Sequence, residues 1–139
     1  MGRILAIDLG EKRVGLALSD LLKILASPFK TITYSSLKHL LTQIKEIIRE
    51  FNVEKVVIGL PVREDGKEGS GCMLSRRFLD ILQRDNIQAE LWDERYSSKL
   101  AQRVLHEHGL KIKNNKEKID KIAASYILDS YLRSISGKK

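Results

Sequence analysis

Hydrophobic positions along the chain change their period several times, and each change marks a predicted element. Apolar or β-branched runs predict five strands, at 3–9, 13–18, 29–34, 53–60 and 87–92. Helical spacing predicts four helices, at about 37–51, 72–85, 97–108 and 117–135. Three strands in succession predict an antiparallel meander, and the later strand–helix alternation predicts parallel strands. The expected fold class is therefore α/β, a five-stranded mixed sheet with helices on both faces.

The size and composition of the chain limit the possible classes of protein. Its 139 residues are expected to form one domain, 1–139, and 42% hydrophobic with 31% charged residues is typical of a soluble protein. Neither a signal peptide nor a membrane-length apolar run is evident, so we expect a cytoplasmic protein that does not bind membranes. The single cysteine, Cys72, excludes an internal disulfide and is expected to be a buried filler.

One charged residue interrupts the first apolar strand. Asp8 follows Ile4–Ile7 and precedes Gly10, and a second apolar run begins at Val14. Burying an unpaired carboxylate is costly, and a cation beside it would remove that cost. Alternatively, Asp8 stands near the strand end and caps its own turn. This segment alone leaves both interpretations open.

Carboxylates occur at two further places where the predicted sheet and helices would meet. Asp93 and Glu94 follow the last predicted strand, and Asp120 stands near the start of the final helix, at the margin of its apolar face. Three carboxylates from two strands and a helix are the oxygen ligands that a hard divalent cation prefers, and such ions promote phosphodiester hydrolysis. Separately, each acid also has an ordinary structural role, as a helix-start acid or a solvated strand end.

Positive charge is concentrated in the last third of the chain. Residues 95–139 carry 11 Lys and Arg against 4 Asp and Glu, whereas residues 1–94 carry 14 of each. A field of one sign attracts polyanions, of which nucleic acid is the commonest. The predicted nucleic-acid contacts lie beside the acidic positions and in the basic link before the final helix: Lys12, Arg13, Arg95, Lys111, Lys113 and Lys116. The alternative is a solvated basic surface without a partner.

Four motifs in order along nearly the whole chain resemble the YqgF (RuvX) family. They are Asp8-Leu9-Gly10-Glu11-Lys12-Arg13-Val14-Gly15, then Gly59-Leu60-Pro61 with Asp65-Gly66 and Gly69, then Asp93-Glu94-Arg95, and finally Ile119-Asp120-Lys121-Ile122-Ala123-Ala124. The resemblance implies a ribonuclease H-like fold related to the Holliday-junction resolvase RuvC. It also implies a nuclease that matures the 5′ end of 16S ribosomal RNA from its precursor.

Residue by residue, the resemblance assigns the catalytic carboxylates to Asp8, Glu94 and Asp120, which with Asp93 are the candidate ligands of Mg²⁺ or Mn²⁺. Glu94 is preferred over Asp93 because its longer side chain can reach inward from a strand end. The chain departs from the pattern at two places. Tyr96-Ser97-Ser98 replaces the family's usual threonines, and Gly59-Leu60-Pro61 stands where the resolvase relatives carry a carboxylate.

The leading hypothesis is a metal-dependent nuclease acting on RNA, the precursor of 16S rRNA, by endonucleolytic or exonucleolytic cleavage. One alternative is a resolvase-like endonuclease acting on branched DNA, which would require a dimer; a monomer or weak homodimer is expected. An actin-like ATPase or sugar kinase shares the Asp-x-Gly hairpin, but this chain is short for two lobes. The last alternative is a non-catalytic RNA-binding module of ribosome assembly.

Overall fold

A computed structural model describes residues 2–96 and 116–136. The elements in chain order are β1 Arg3–Leu9, β2 Arg13–Ser19, β3 Ala26–Thr33, α1 Leu37–Phe51, β4 Val53–Leu60, α2 Ser70–Arg84, β5 Ala89–Asp93, a short 3-10 helix Glu94–Tyr96, and α3 Lys116–Ile135. Within these described parts, no helix is long and apolar enough to cross a membrane.

The described strands form one five-stranded sheet in the order β3-β2-β1-β4-β5. β1, β2 and β3 pair antiparallel, whereas β4 is parallel to both β1 and β5. The predicted mixed sheet, a meander followed by parallel strands, is confirmed. Because β1, β4 and β5 run in the same direction, their carboxyl ends meet at one edge of the sheet. This edge is called the carboxyl edge below.

α1 and α2 cover one face of the sheet and bury the larger apolar cluster. α1 begins after Ser36, whose side chain accepts a hydrogen bond from the His39 backbone N–H, and ends at Asn52 in the left-handed conformation. The apolar stripe of α1 and Phe78 and Leu82 of α2 pack on β1, β2 and β4. The predicted filler Cys72 is fully buried in α2.

α3 covers the opposite face, where the smaller cluster includes Ile4, Ala6, Ala17 and Val57 of the strands. The buried apolar positions of α3 are Ala124, Ile127, Leu128, Tyr131 and Leu132. Helical spacing predicts one apolar face through Ile119, Ala123, Tyr126 and Ile127, with Ala124 beside it. That face was only partly right: Ile127 and Ala124 are buried, whereas the other three are half-buried. Because the helix is apolar on several sides, its period did not define the inward face. Asp120 extends the buried stripe by one turn instead of lying at its margin.

Most predicted boundaries agree with the structure to within two residues. The largest difference is β3, which begins at Ala26 instead of 29 and includes Pro28. A proline is tolerated there because β3 is an edge strand, where one side of the backbone needs no partner. The helix predicted at 97–108 lies outside the described residues.

Candidate active site at the carboxyl edge

Asp8 lies on the α3 face, at the carboxyl end of β1. Strand alternation places it on the same side as Ile4 and Ala6, which pack beneath α3. Burial, reinforced by the negative charge of Asp120, raises the pKa of Asp8 to about 6. The strand thus holds a carboxyl group in surroundings that oppose its ionisation.

Glu94 approaches the same face from the end of β5, as the first residue of the 3-10 helix. Its carboxylate lies over Gly59 of β4: a Cβ atom added there would be 2.8 Å from Glu94 Oε2 and 2.7 Å from Ile127 Cδ1. Burial first, then the charges of Asp8 and Asp93, raises the pKa of Glu94 to about 8. The missing side chain at Gly59 therefore provides the space that Glu94 occupies.

Asp120 is brought to this edge by a close approach of α3 to β2. A Cβ atom at Gly15 would lie only 2.0 Å from the backbone oxygen of Asp120, so a glycine is needed beneath the helix. Gly15 is paired with Asp8 in the β1–β2 ladder. The Asp120 side chain accepts a hydrogen bond from Arg13 Nε at 2.9 Å, so Asp120 and Arg13 form an ion pair.

Asp93 is engaged by its neighbour Arg95. Arg95 donates to Asp93 from its backbone N–H at 2.9 Å and from Nη2 at 2.7 Å, with Nε also within 3.1 Å. These hydrogen bonds hold the pKa of Asp93 below its usual value. Two adjacent carboxylates therefore differ: Asp93 is neutralised locally, whereas Glu94 faces Asp8.

A cleft of about 300 Å³ opens beside these groups. It is lined by Asp8, Asp120 and the β1–β2 turn, Leu9–Arg13. Tyr34 braces this turn by donating its hydroxyl hydrogen to the Gly10 carbonyl at 2.5 Å. Sequence reasoning did not identify Tyr34, because its role depends on a contact between β1–β2 and the end of β3.

The predicted nucleic-acid contacts fall into three groups. Lys12 and Arg13 line the cleft, although Arg13 is held by Asp120. Arg95 is exposed beside the site and is paired with Asp93. Lys111 and Lys113 lie outside the described residues. Lys116 is the first residue of α3, and only its backbone is described.

In residues 2–96 and 116–136, no group of three His, Cys, Asp or Glu side chains is assembled for a metal ion. The charges of Asp8, Glu94 and Asp120 nevertheless act on one another, since Asp8 interacts with Asp120 and Glu94 interacts with Asp8. Repulsion of this kind is relieved by protonation or by a cation. The chemistry of these oxygen donors fits a hard divalent ion.

Comparison with known proteins shows the family to which the chain belongs. The family model RuvX, described as "Holliday junction resolvase", matches residues 2–134. The chain belongs to the RuvX family. RuvX relatives in Syntrophomonas wolfei and Caldicellulosiruptor bescii are both named "Putative pre-16S rRNA nuclease". The first is 44% identical, with 94% of this chain and 93% of the relative covered; the second is 41% identical, with 97% and 99% covered.

Among solved structures, T. thermophilus RuvC in complex with a Holliday junction substrate has a similar fold, with a TM-score of 0.62 at 13% identity. The match covers 99% of this chain and 97% of the RuvC chain. A second RuvC structure gives a TM-score of 0.58 at 12% identity. These matches confirm the ribonuclease H-like fold. The RuvX chain thus combines that fold with membership of a family whose named relatives are nucleases, hydrolases of phosphodiester bonds.

Proposed function

We propose that this RuvX protein is a divalent-metal-dependent nuclease that hydrolyses RNA, and that it matures the 5′ end of precursor 16S rRNA in the cytoplasm. The observation that carries the proposal is the opposition of Asp8 and Glu94 across the carboxyl edge. Burial, with the charge of Asp120, raises the pKa of Asp8 to about 6, and burial, with the charges of Asp8 and Asp93, raises the pKa of Glu94 to about 8. Such perturbed carboxyl groups in a cleft are typical of catalytic sites.

Asp8, Glu94 and Asp120 would hold the ion, Mg²⁺ or Mn²⁺. When bound, a divalent ion lowers the pKa of water and stabilises negative charge on a phosphodiester. Asp93 receives a different role in this proposal, because its pairing with Arg95 fixes the backbone from which Glu94 projects.

Basic residues around the cleft would hold the substrate. Lys12 lines the cleft on the β1–β2 turn, and it makes no ion pair with the residues that the structure describes. Arg13 holds Asp120 at 2.9 Å and lines the same cleft, where its guanidinium would also contact a phosphate. Together with the basic positions Lys111, Lys113 and Lys116, these residues would bind the RNA backbone without reading bases.

The test is cleavage of a labelled precursor 16S RNA fragment with Mg²⁺ or Mn²⁺. We expect Asp8→Asn to reduce the rate by about 10²–10³-fold, because it removes an ion-binding charge while keeping the side chain's shape. Asp129→Asn is the matched control, since Asp129 lies further along α3 and pairs with Arg133. Separate 5′ and 3′ labels distinguish endonucleolytic from exonucleolytic action.

The outcomes separate the hypotheses. Cutting that needs a divalent ion and is lost in Asp8→Asn but kept in Asp129→Asn supports the proposal. Equal cutting by wild type and Asp8→Asn indicates a contaminant. Tight RNA binding without cutting by any protein would favour the non-catalytic binding module instead.

The family description gives a specific reason to test a second substrate. A Holliday-junction resolvase cuts branched DNA at symmetric positions and requires two active sites, and therefore a dimer. Synthetic four-way DNA junctions and the mass of the protein in solution examine both requirements. Symmetric junction cleavage by a dimer, faster than cleavage of RNA, would replace the RNA proposal.

A further inference from the structure

A second cleft, of about 310 Å³, opens on the other side of the β1–β2 turn. One wall is formed by Leu9 and Gly10, and the other by Gly71, Met73, Leu74 and Arg77 of α2. Leu9, Gly10 and Glu11 also line the carboxylate cleft. The two clefts therefore lie on either side of one turn, the second beside α2 and the first beside α3. This second cleft is called the α2 groove below.

The walls of the α2 groove combine apolar surface with one positive charge. Met73 is 65% exposed, so its thioether side chain is open to a ligand in the groove. Arg77 stands one helical turn further along α2 and forms no ion pair with any described residue. Its neighbour Arg76, in contrast, is held by two hydrogen bonds to Glu68, at 2.7 and 2.6 Å. Of these two adjacent arginines, Arg77 has its charge available for a ligand.

We propose that the α2 groove binds one nucleotide of the RNA strand, next to the nucleotide whose phosphate lies over the carboxylates. The base of this nucleotide would pack on Met73 and Leu74, and the phosphate of the same nucleotide would contact Arg77. Glu11, on the shared rim, repels phosphate and so directs the phosphate to the α2 side. A volume of about 310 Å³ is at the lower end of small-ligand sites, about 300–1,000 Å³, which suits a single nucleotide unit better than a duplex.

The α2 groove deepens the proposed function and rests on it, because it extends the substrate path from the carboxylate cleft. A base packed on a thioether and an aliphatic side chain is held without base-edge hydrogen bonds. The groove is therefore expected to accept any base and to require a strand that is locally unpaired. It would give the enzyme a preference for single-stranded over double-stranded RNA at this position.

Binding is tested in the full-length Asp8→Asn protein with Mg²⁺, where the RNA stays intact. The probes are a fluorescent oligouridine and an abasic ribose-phosphate oligomer of the same length, measured by anisotropy. Adding Arg77→Ala is expected to weaken both probes by roughly three- to tenfold and to reduce the slope of log K against log salt by about 0.7. Adding Met73→Ala is expected to weaken only the oligouridine.

Arg76→Ala is the matched control, with the same loss of charge one residue away. It is expected to stay within about twofold of the parent protein, because Arg76 is already neutralised by Glu68. Equal losses of RNA affinity for Arg76→Ala and Arg77→Ala would show a diffuse charge effect and would contradict the proposed binding in the α2 groove. A Met73→Ala protein that still prefers oligouridine as strongly as the parent would also overturn it.

Cleavage assays keep this inference separable from the proposed function. In the otherwise wild-type protein, Arg77→Ala should raise KM and leave kcat nearly unchanged, since Arg77 is placed away from the reacting phosphate. If the wild type cuts RNA but neither groove substitution changes binding, the groove alone is wrong. If the wild type never cuts RNA but the binding differences appear as expected, the nuclease proposal is wrong and the groove remains an RNA-binding subsite.

Discussion

The two faces of the sheet differ in the size of the side chains that they bury. The face beneath α1 and α2 is filled by large apolar side chains, with Phe78, Leu82 and Ile44 fully buried. The face beneath α3 is built from small ones where it meets the site: Gly15, Gly59, Ala6 and Ala17. Large residues on the first face supply buried apolar area. Small residues on the second let a helix backbone and two carboxylates come close together at some cost in stability.

The largest expected effect tests the role of the first face. Phe78→Ala should lower the free energy of unfolding by about 3–5 kcal/mol, because it removes a fully buried aromatic ring from the larger cluster. At saturating RNA, kcat per folded molecule should be unchanged, since Phe78 lies on the face opposite the carboxylates. Urea denaturation measures the first quantity. Leu22→Ala is the control, because Leu22 is 68% exposed and should change stability by less than about 0.5 kcal/mol.

The next effect concerns the two glycines of the α3 face. Gly15→Ala should cost about 1–3 kcal/mol, because its Cβ would meet the backbone of Asp120 and force α3 away from the sheet. Gly59→Ala should cost less stability, because its Cβ meets only the ends of the Ile127 and Glu94 side chains. Both should reduce cleavage. Equal stability losses for the two variants, measured by thermal unfolding with activity alongside, would contradict the distinction between a backbone and a side-chain contact.

The third effect is a pH dependence of the free energy of unfolding, which arises from Glu94 in the candidate site. Without divalent ions, Glu94 keeps its proton up to about pH 8 in the folded chain and loses it above about pH 4.5 when unfolded. The folded state therefore binds more protons in this range, and this contribution to the free energy of unfolding falls as pH rises from about 4.5 to 8.

Glu94→Gln removes that dependence, because an amide does not ionise. The variant should match wild type near pH 4 and exceed it at pH 8 by about 1–2 kcal/mol, a value reduced for partial solvent screening. Denaturation with urea across this pH range, in the presence of a chelator, measures the difference. Parallel pH profiles for the two proteins would show that Glu94 is not destabilised by its surroundings.

The smallest effect tests how α3 is attached to β5. Trp92 Nε1 donates a hydrogen bond to Ser130 Oγ at 2.9 Å. Ser130→Ala should cost about 1 kcal/mol, because the half-buried indole N–H loses its partner. Ser134→Ala, whose hydroxyl donates only to the Tyr131 carbonyl within the helix, should be nearly neutral. A cost for Ser134→Ala equal to that of Ser130→Ala would refute a specific contribution of the Trp92 contact.

Much of the fold could be predicted from the sequence, because most elements carry a clear period. The apolar run of β1 and the apolar stripe of α1 each have a single pattern, and their predicted spans agree with the structure. α3 was harder, since Ile119, Ile122, Ala123 and Tyr126 make several of its sides apolar. The face of α3 that packs inward depends on where the sheet leaves space for the helix, and Gly15 of β2 and Gly59 of β4 provide that space.

For the candidate site, the sequence by itself determined the residue types: an aspartate interrupting an apolar strand, an acidic pair after another strand, and an acid at a helix start. Only the tertiary structure decided that Glu94 faces Asp8 while Asp93 is bound by Arg95, and that Arg13 holds Asp120. Chain order sets which residues lie next to one another locally. Repulsion, burial and ion pairing depend on distances across the sheet, and those distances exist only once β1, β4, β5 and α3 have packed.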